Sequence, residues 1–213
     1  GEEEGDRVDD AVRPPPAPRP PLAPPRRRRE AVRAEFGVAP DQPLILSVGR
    51  LHPQKRYDIL VDAAAGWRAL DPTPAVIIAG SGPSYLQLAA RISATRAPVT
   101  LLGHRTDVAD LLNGADLAVV TSDWEARQLF AQEALRAGVP LVATAVGGLP
   151  ELVGDAAVLV PPGDVTAVDQ AVRELLGIEQ RWRDYGADSA EADFEMTCDL
   201  PRSPTPRSGW RAG

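Results

Sequence analysis

Between residues 43 and 178, six short apolar runs alternate with five longer amphipathic segments, and no other feature of the chain limits its fold as strongly. The runs are LILSV (44–48), AVIIA (75–79), VTLL (99–102), LAVV (117–120), LVAT (141–144) and AVLV (157–160). Each has the length of a strand and is apolar at successive positions, the pattern of a strand covered on both faces. The segments between them are 57–68, 84–95, 107–113, 127–137 and 166–177; in the first, Ile59, Leu60, Ala63, Ala64 and Trp67 share one helical face. Strands separated by helices predict an α/β domain with a Rossmann-like, doubly wound parallel sheet. Ligands of such sheets bind at the carboxyl ends of the strands, so the loops that follow the runs are where chemistry is expected.

The flanks read differently. Residues 1–30 hold 8 of the 22 prolines, in RPPPAPRPPLAPPRRRR after an acidic cluster, a composition that cannot bury a core and predicts an extended or disordered stretch. Pro15 to Pro18 has the spacing of a proline-recognition ligand, and Arg26 to Arg29 would suit an anionic surface, including peripheral contact with a membrane. EAVRAEF (30–36) predicts a short helix stopped by Gly37. After residue 180 the period is lost, and Met196, Cys198 and Trp210 have no functional reading. The resulting map is a Pro/Arg-rich linker or tail over 1–36, a single domain over 37–180 and an irregular tail over 181–213. A chain that begins with Gly1 and has its one methionine at 196 also reads as part of a longer one.

Composition narrows the function. One cysteine and two histidines exclude an internal disulfide and a Cys/His zinc site. No apolar run approaches the roughly 18 residues of a membrane span, and the first residues are acidic, so a soluble, cytoplasmic chain is expected. Residues 41–180 carry 16 acids and 10 bases, the opposite of a nucleic-acid footprint.

The loops are richer. SVGRLHPQKR places Gly49, Arg50 and Lys55 after the first run, where a glycine admits close backbone approach and two cations can hold phosphate oxygens. Of the 23 basic residues Lys55 is the one lysine, and it falls in this loop. A solvated basic turn is the alternative. GSGP after the second run brings Gly80 and Gly82, the start of a dinucleotide fingerprint without its third glycine. After the third run, Gly103, His104 and Arg105 border either a base or phosphate pocket or a capped surface loop. After the fourth, TSDWEARQLFAQEALRAGVP sets Glu125 in a loop and Glu133 eight residues on, about 12 Å away if the stretch is helical at 1.5 Å per residue. Between them the backbone N–H groups of Gln128, Leu129 and Phe130 would open a helix as an anion site. The plainer reading makes Glu125 a partner of the helix dipole and Glu133 a surface residue. AVGGLPELVG then gives Gly147, Gly148, Pro150 and Glu151, a bend followed by a short helix.

Taken in order, VGRLHPQK, IIAGSGP, LLGHRTDVADLL, the E-x7-E pair with EALRAGVPLVATAVGGLPELV, and VLVPPGD resemble the carboxyl-terminal, donor-binding domain of the family 4 glycosyltransferases of the GT-B fold. The resemblance spans about residues 37–178. It implies transfer of a sugar from a nucleotide-diphosphate sugar with retention of configuration, and no metal or other cofactor. It also implies Arg50 and Lys55 at the diphosphate, Glu125 at hydroxyls of the transferred sugar, Glu133 at the ribose, and the backbone at Gln128 to Phe130 at the distal phosphate. No two aspartates lie two apart, so the metal-binding DxD of the other glycosyltransferase fold is missing. Two positions depart from the family: Ala126, Arg127 and Gln128 stand where Gly-Phe-Gly is common, and Arg56 follows Lys55 where glycine is common. Residues 1–36 hold no counterpart of the amino-terminal acceptor domain, so an acceptor half missing or supplied in trans is expected, with the acceptor itself open.

Three other readings compete. One is a non-catalytic donor-binding subunit or fragment. Another is a nucleotide-sugar epimerase of the same architecture. The third, an NAD-dependent oxidoreductase, is disfavoured because GxGxxG does not follow the first strand and no ribose-binding acid ends the second.

Overall fold

A computed structural model describes residues 25–125 and 128–190. The proline-rich segment up to residue 24, the pair Ala126 and Arg127, and residues 191–213 with Met196, Cys198 and Trp210 lie outside the described residues.

The six apolar runs form β1 (Leu44–Val48), β2 (Ala75–Ala79), β3 (Val99–Gly103), β4 (Leu117–Val120), β5 (Leu141–Thr144) and β6 (Val158–Val160). They make one six-stranded, all-parallel sheet in the order β3-β2-β1-β4-β5-β6. The chain winds outward from β1 to β3, returns to the centre and winds outward again from β4, so β1 and β4 flank the switch point at which such sheets open a crevice. Around the strands run α1 (Pro25–Glu35), α2 (Tyr57–Ala65), α3 (Tyr85–Thr95), α4 (Val108–Gly114), α5 (Leu129–Arg136), α6 (Leu149–Val153) and α7 (Val165–Ala190).

Successive side chains of a strand point to opposite faces, and both faces are dry. Ile45, Val76, Ile78, Leu117, Val119 and Val142 pack with Leu60, Trp67, Leu88, Val168 and Val172 of α2, the turn after it, α3 and α7. Leu44, Leu46, Ile77, Ala118, Val120, Leu141 and Ala143 pack with Val32, Leu111, Leu112, Phe130 and Leu149 of α1, α4, α5 and α6. Trp67 is fully buried, and its indole N–H donates to Asp169 Oδ1 at 2.7 Å, tying α2's end to α7.

Both boundaries move relative to the sequence-based map. The helix expected at 30–36 begins at Pro25 and buries Val32 and Arg33, so α1 belongs to the folded unit although residues 1–36 read as a linker. Its anchor is Asp116, which lies just before β4. Asp116 Oδ2 accepts from the Leu44 N–H at 2.7 Å and from Arg33 Nη1 at 2.9 Å, and Oδ1 accepts from Arg29 Nη2 at 2.5 Å. Arg33 also donates to the carbonyls of Gly114, Ala39 and Gln42. Arg29 is therefore held inside the fold by Asp116, where the sequence offered it to an anionic surface. At the other end α7 continues to Ala190, past the residue-180 boundary after which an irregular tail was expected.

Candidate donor-binding site

The carboxyl ends of β1 and β4 lie side by side, and each is followed by one member of a charged pair. After β1, His52 is extended and its Nδ1 accepts from the Gln54 N–H, opening a single 3-10 turn over Pro53–Lys55. Arg56 closes that turn in the left-handed region at φ 47°, and Lys55 leaves it beside Gly49. A Cβ on Gly49 would lie 2.8 Å from Tyr57 Oη, too close for a real contact, so the missing side chain is what makes room for the tyrosine hydroxyl beside the lysine stem.

Lys55 Nζ meets Glu125 Oε1 at 2.5 Å. The same oxygen accepts from Ser122 Oγ at 2.5 Å and from Gln128 Nε2 at 3.0 Å. Glu125 is buried and Lys55 partly so. Glu125 Oε2 has no hydrogen bond among the described residues. An ionised carboxylate offers about four acceptor positions over its two oxygens, and the three donors all meet Oε1. Burial pushes the Tyr57 phenol well above its ordinary pKa, and the negative charge of Glu125 pushes it the same way, leaving a neutral ring under the pair.

The loop around Glu125 is fixed from the other side by the turn after β5. Thr144 Oγ1 donates to the Ser122 carbonyl at 2.6 Å and the Gly148 N–H to the Glu125 carbonyl at 3.2 Å. Gly147 approaches so closely that a Cβ there would sit 1.9 Å from the Glu125 carbonyl oxygen.

Gly49, Arg50, Gly80, Gly82, His104 and Arg105, assigned from sequence to three separate loops, line one cavity of about 520 Å³ with Val48, Ala79 and Ser81. Arg50 and His104 are exposed. The Arg50 side chain forms no hydrogen bond or ion pair among the described residues and is available to an anion. Arg105 is not: it grips Asp107 through Nε at 2.8 Å and Nη2 at 2.6 Å, reaches Glu35 Oε1 at 2.6 Å and lies over the Phe36 ring. That side chain ties β3's loop to α1 and holds the Asp107 carboxyl below its usual range. Gly80 and Gly82 serve close packing, because Cβ atoms there would fall 1.8 Å from the Gly49 carbonyl oxygen and 2.3 Å from that of Leu51.

Helix α5 starts at Leu129, two residues later than the amphipathic pattern predicted. Helix α5 begins only at Leu129 and Gln128 lies outside it, so the separation of about 12 Å, reckoned for eight continuous helical residues, does not apply. Gln128 occupies the N-cap position, but its side chain turns to Glu125 and makes no cap hydrogen bond. Leu129 is exposed, Phe130 is buried under the sheet, and Glu133 is exposed on the helix. The structure thus joins Lys55, Glu125 and Gln128 directly, sets Arg50 and His104 on the adjoining cavity, and leaves Glu133 one helical turn beyond. Sequence reading missed Ser122, Tyr57 and Gln54; Ser122, three residues before Glu125, was the one with a visible signal.

Residues 28–190 match the family model described as glycosyl transferases group 1. The chain belongs to this family. Among its relatives, N-acetyl-alpha-D-glucosaminyl L-malate synthase of Bacillus anthracis is 31% identical over 177 residues, covering 80% of this chain and 46% of that protein. D-inositol 3-phosphate glycosyltransferase of Nocardia farcinica is 37% identical over 173 residues, covering 74% and 38%. In three dimensions the chain is similar to HepE of Anabaena, solved in complex with UDP-glucose, with a TM-score of 0.68, 28% identity and coverage of 75% and 45%. The chain spans less than half the length of each of these proteins. No described helix is long and apolar enough to cross a membrane.

Proposed function

We propose that this chain is the donor-binding part of a retaining glycosyltransferase of family 4, working in the cytoplasm on a nucleotide-diphosphate sugar. The observation that carries the reading is the Lys55–Glu125 pair set across the switch point of the sheet, a cation for phosphate beside a carboxylate for hydroxyls. The similarity to a protein solved with UDP-glucose supports a nucleotide sugar as the partner.

In this reading Arg50 and Lys55 take the diphosphate, and Glu125 Oε2 accepts a hydroxyl of the transferred sugar. The N–H groups at Gln128, Leu129 and Phe130 face the distal phosphate, which the dipole of α5 favours. Glu133 accepts the ribose. As the sugar–phosphate bond breaks, negative charge grows on the leaving diphosphate. Two fixed cations and a helix start meet it there in place of a divalent metal, and one such donor contributes about 3 kcal/mol to the transition state. Transfer further requires an acceptor held within about 3–3.5 Å of the anomeric carbon, a wall that we assign to an acceptor domain outside residues 25–190.

Calorimetric titration of UDP, GDP and ADP into the wild-type chain and Lys55→Ala tests the assignment. At least one diphosphate should bind the wild type and bind the variant about tenfold or more weakly, as expected for a charge-assisted contact of roughly 1.5–3 kcal/mol. Equal affinities for both proteins would refute it, and NAD binding in preference to all three would return the oxidoreductase reading.

A further inference from the structure

Arg56 stands where the resembling family commonly has glycine, and its backbone shows why glycine is common there: the residue sits at φ 47°, which L side chains rarely adopt. A non-glycine residue persists in such a conformation when its surroundings over-determine it. They do so here. The Arg56 guanidinium bridges two carboxylates on different loops. Nε and Nη2 donate to Asp58 at the start of α2, at 3.1 to 3.3 Å, while Nη1 donates to both oxygens of Asp123, at 3.0 and 3.1 Å.

Asp58 and Asp123 belong to the two walls of the site. Asp58 lies three residues after Lys55, and Asp123 lies two residues before Glu125. The same seam carries the Asp123 N–H to the Gln54 carbonyl at 2.9 Å, Gln54 Nε2 to the Trp124 carbonyl at 2.6 Å and Thr121 Oγ1 to the Lys55 carbonyl at 2.9 Å. Apart from the Arg56–Asp58 bonds, the contacts of this seam join residues 54–56 to residues 121–124, and none touches Lys55 Nζ or the Glu125 carboxylate. Asp58 and Asp123 together hold the Arg56 guanidinium strongly protonated, so the bridge stays charged throughout the physiological range.

We infer that Arg56 is a positioning residue for the donor site: it clamps the loop bearing Lys55 to the loop bearing Glu125, so that the diphosphate and sugar ends of the site are presented at one fixed spacing. This rests on the reading of Lys55 and Glu125 given above. The consequence is that loss of the clamp loosens Lys55 without touching it.

Arg56→Gly isolates the clamp, because glycine adopts φ 47° freely and the backbone loses strain as it loses the guanidinium. UDP, GDP and ADP are titrated into the full chain, and thermal melting is followed in parallel. The expected result is a melting temperature equal to or above that of the wild type, with affinity for the best-bound diphosphate about fivefold or more weaker. Asp123→Asn should weaken binding similarly, and the double variant should be no weaker than either single one, the mark of one shared interaction. Arg56→Lys should recover part of the affinity, since it keeps the charge but lacks the planar fork. The gap between wild type and Arg56→Gly should also narrow as salt is raised towards 1 M, where the screening length falls to about 3 Å. A residue that served stability alone would show neither the rescue nor the salt dependence. Undiminished affinity in Arg56→Gly, or strictly additive losses in the double variant, would overturn the clamp while leaving the donor-site reading intact. Failure of the wild type to bind any of the three diphosphates would remove that reading and the clamp with it.

Discussion

Asp116 and Glu125 bracket the same strand, β4, one before its first residue and one beyond its last, and their side chains are almost equally buried, at 5% and 6% exposed. Both carry cations. Burial therefore does not distinguish them; occupancy does. At Asp116 both oxygens are taken, by Arg29 on one side and by Arg33 and the Leu44 N–H on the other, and the cluster locks α1, β1 and the α4–β4 turn together. At Glu125 three donors crowd onto one oxygen and the other takes no hydrogen bond among the described residues, while neighbouring Arg50 stays exposed. A charge cluster that holds the fold is closed on itself, whereas one that meets a ligand keeps a valence in reserve. If that distinction is correct, damage at the lower end should appear in stability and damage at the upper end in binding.

The largest expected effect is at the lower end. Asp116→Asn leaves two guanidiniums without their counter-charge, one of them fully buried, and should destabilise the domain by about 3–5 kcal/mol, the usual cost of halving a buried pair. Urea unfolding measures this, and diphosphate affinity at a temperature where the variant is folded should be unchanged. Next comes Lys55→Ala, already expected to weaken diphosphate binding about tenfold or more. Its stability loss should be smaller than that of Asp116→Asn, because Lys55 is partly exposed and Glu125 keeps Ser122 and Gln128. If the two variants rank the other way in urea, the contrast between the ends fails.

A third experiment sharpens it. Since Lys55 is paired to Glu125 in the ligand-free site, Glu125→Gln frees the ammonium and should tighten nucleoside diphosphate binding by about threefold to tenfold, while abolishing the added affinity that the sugar of a nucleotide sugar contributes. Titrating UDP and UDP-glucose side by side reads both effects; a loss for plain diphosphate would show that the pair acts as a unit.

The smallest effect is on pH dependence. Burial by itself would raise the Asp116 carboxyl, but the Leu44 N–H and the Arg29 and Arg33 guanidiniums outweigh it and hold the group below its ordinary value. A depressed folded-state pKa contributes stability that is fully present above the unfolded value of about 3.9 and lost as pH falls through the folded one. The difference in melting temperature between wild type and Asp116→Asn should thus be constant above about pH 5 and close below about pH 4. A gap that ignores pH would mean that the carboxylate charge is not what matters.

The two ends were also unequally legible. Strand positions came through because an all-parallel, doubly covered strand writes its burial on every residue, and Leu44–Val48 and Leu117–Val120 have the limits their apolar runs predicted. Lys55 and Glu125 stood out as candidates because each lies in the loop that follows a strand. Arg33 and Asp116 did not, since 83 residues separate them and neither interrupts a pattern. Arg105 lines the cavity, as its place after β3 suggests, but its partners were not legible: Asp107 two positions on and Glu35, 70 positions back, both engage the guanidinium. The late start of α5 escaped because Gln128 has ordinary helix propensity, and nothing in the sequence signals that its side chain turns to Glu125.

The bond from Trp67 to Asp169 spans 102 residues of chain, and this sets an order for biogenesis. A chain emerging from the ribosome exposes Trp67, Leu60 and Ile78 as soon as β2 is made, but Val168 and Val172, which cover them, are among the last parts of the described domain to appear. Until α7 is made, α2 and α3 can cover that sheet face but the part that Val168 and Val172 complete stays open. Such exposed surface is what drives aggregation and recruits chaperones. Docking of α7 is therefore the step that takes this domain out of their reach.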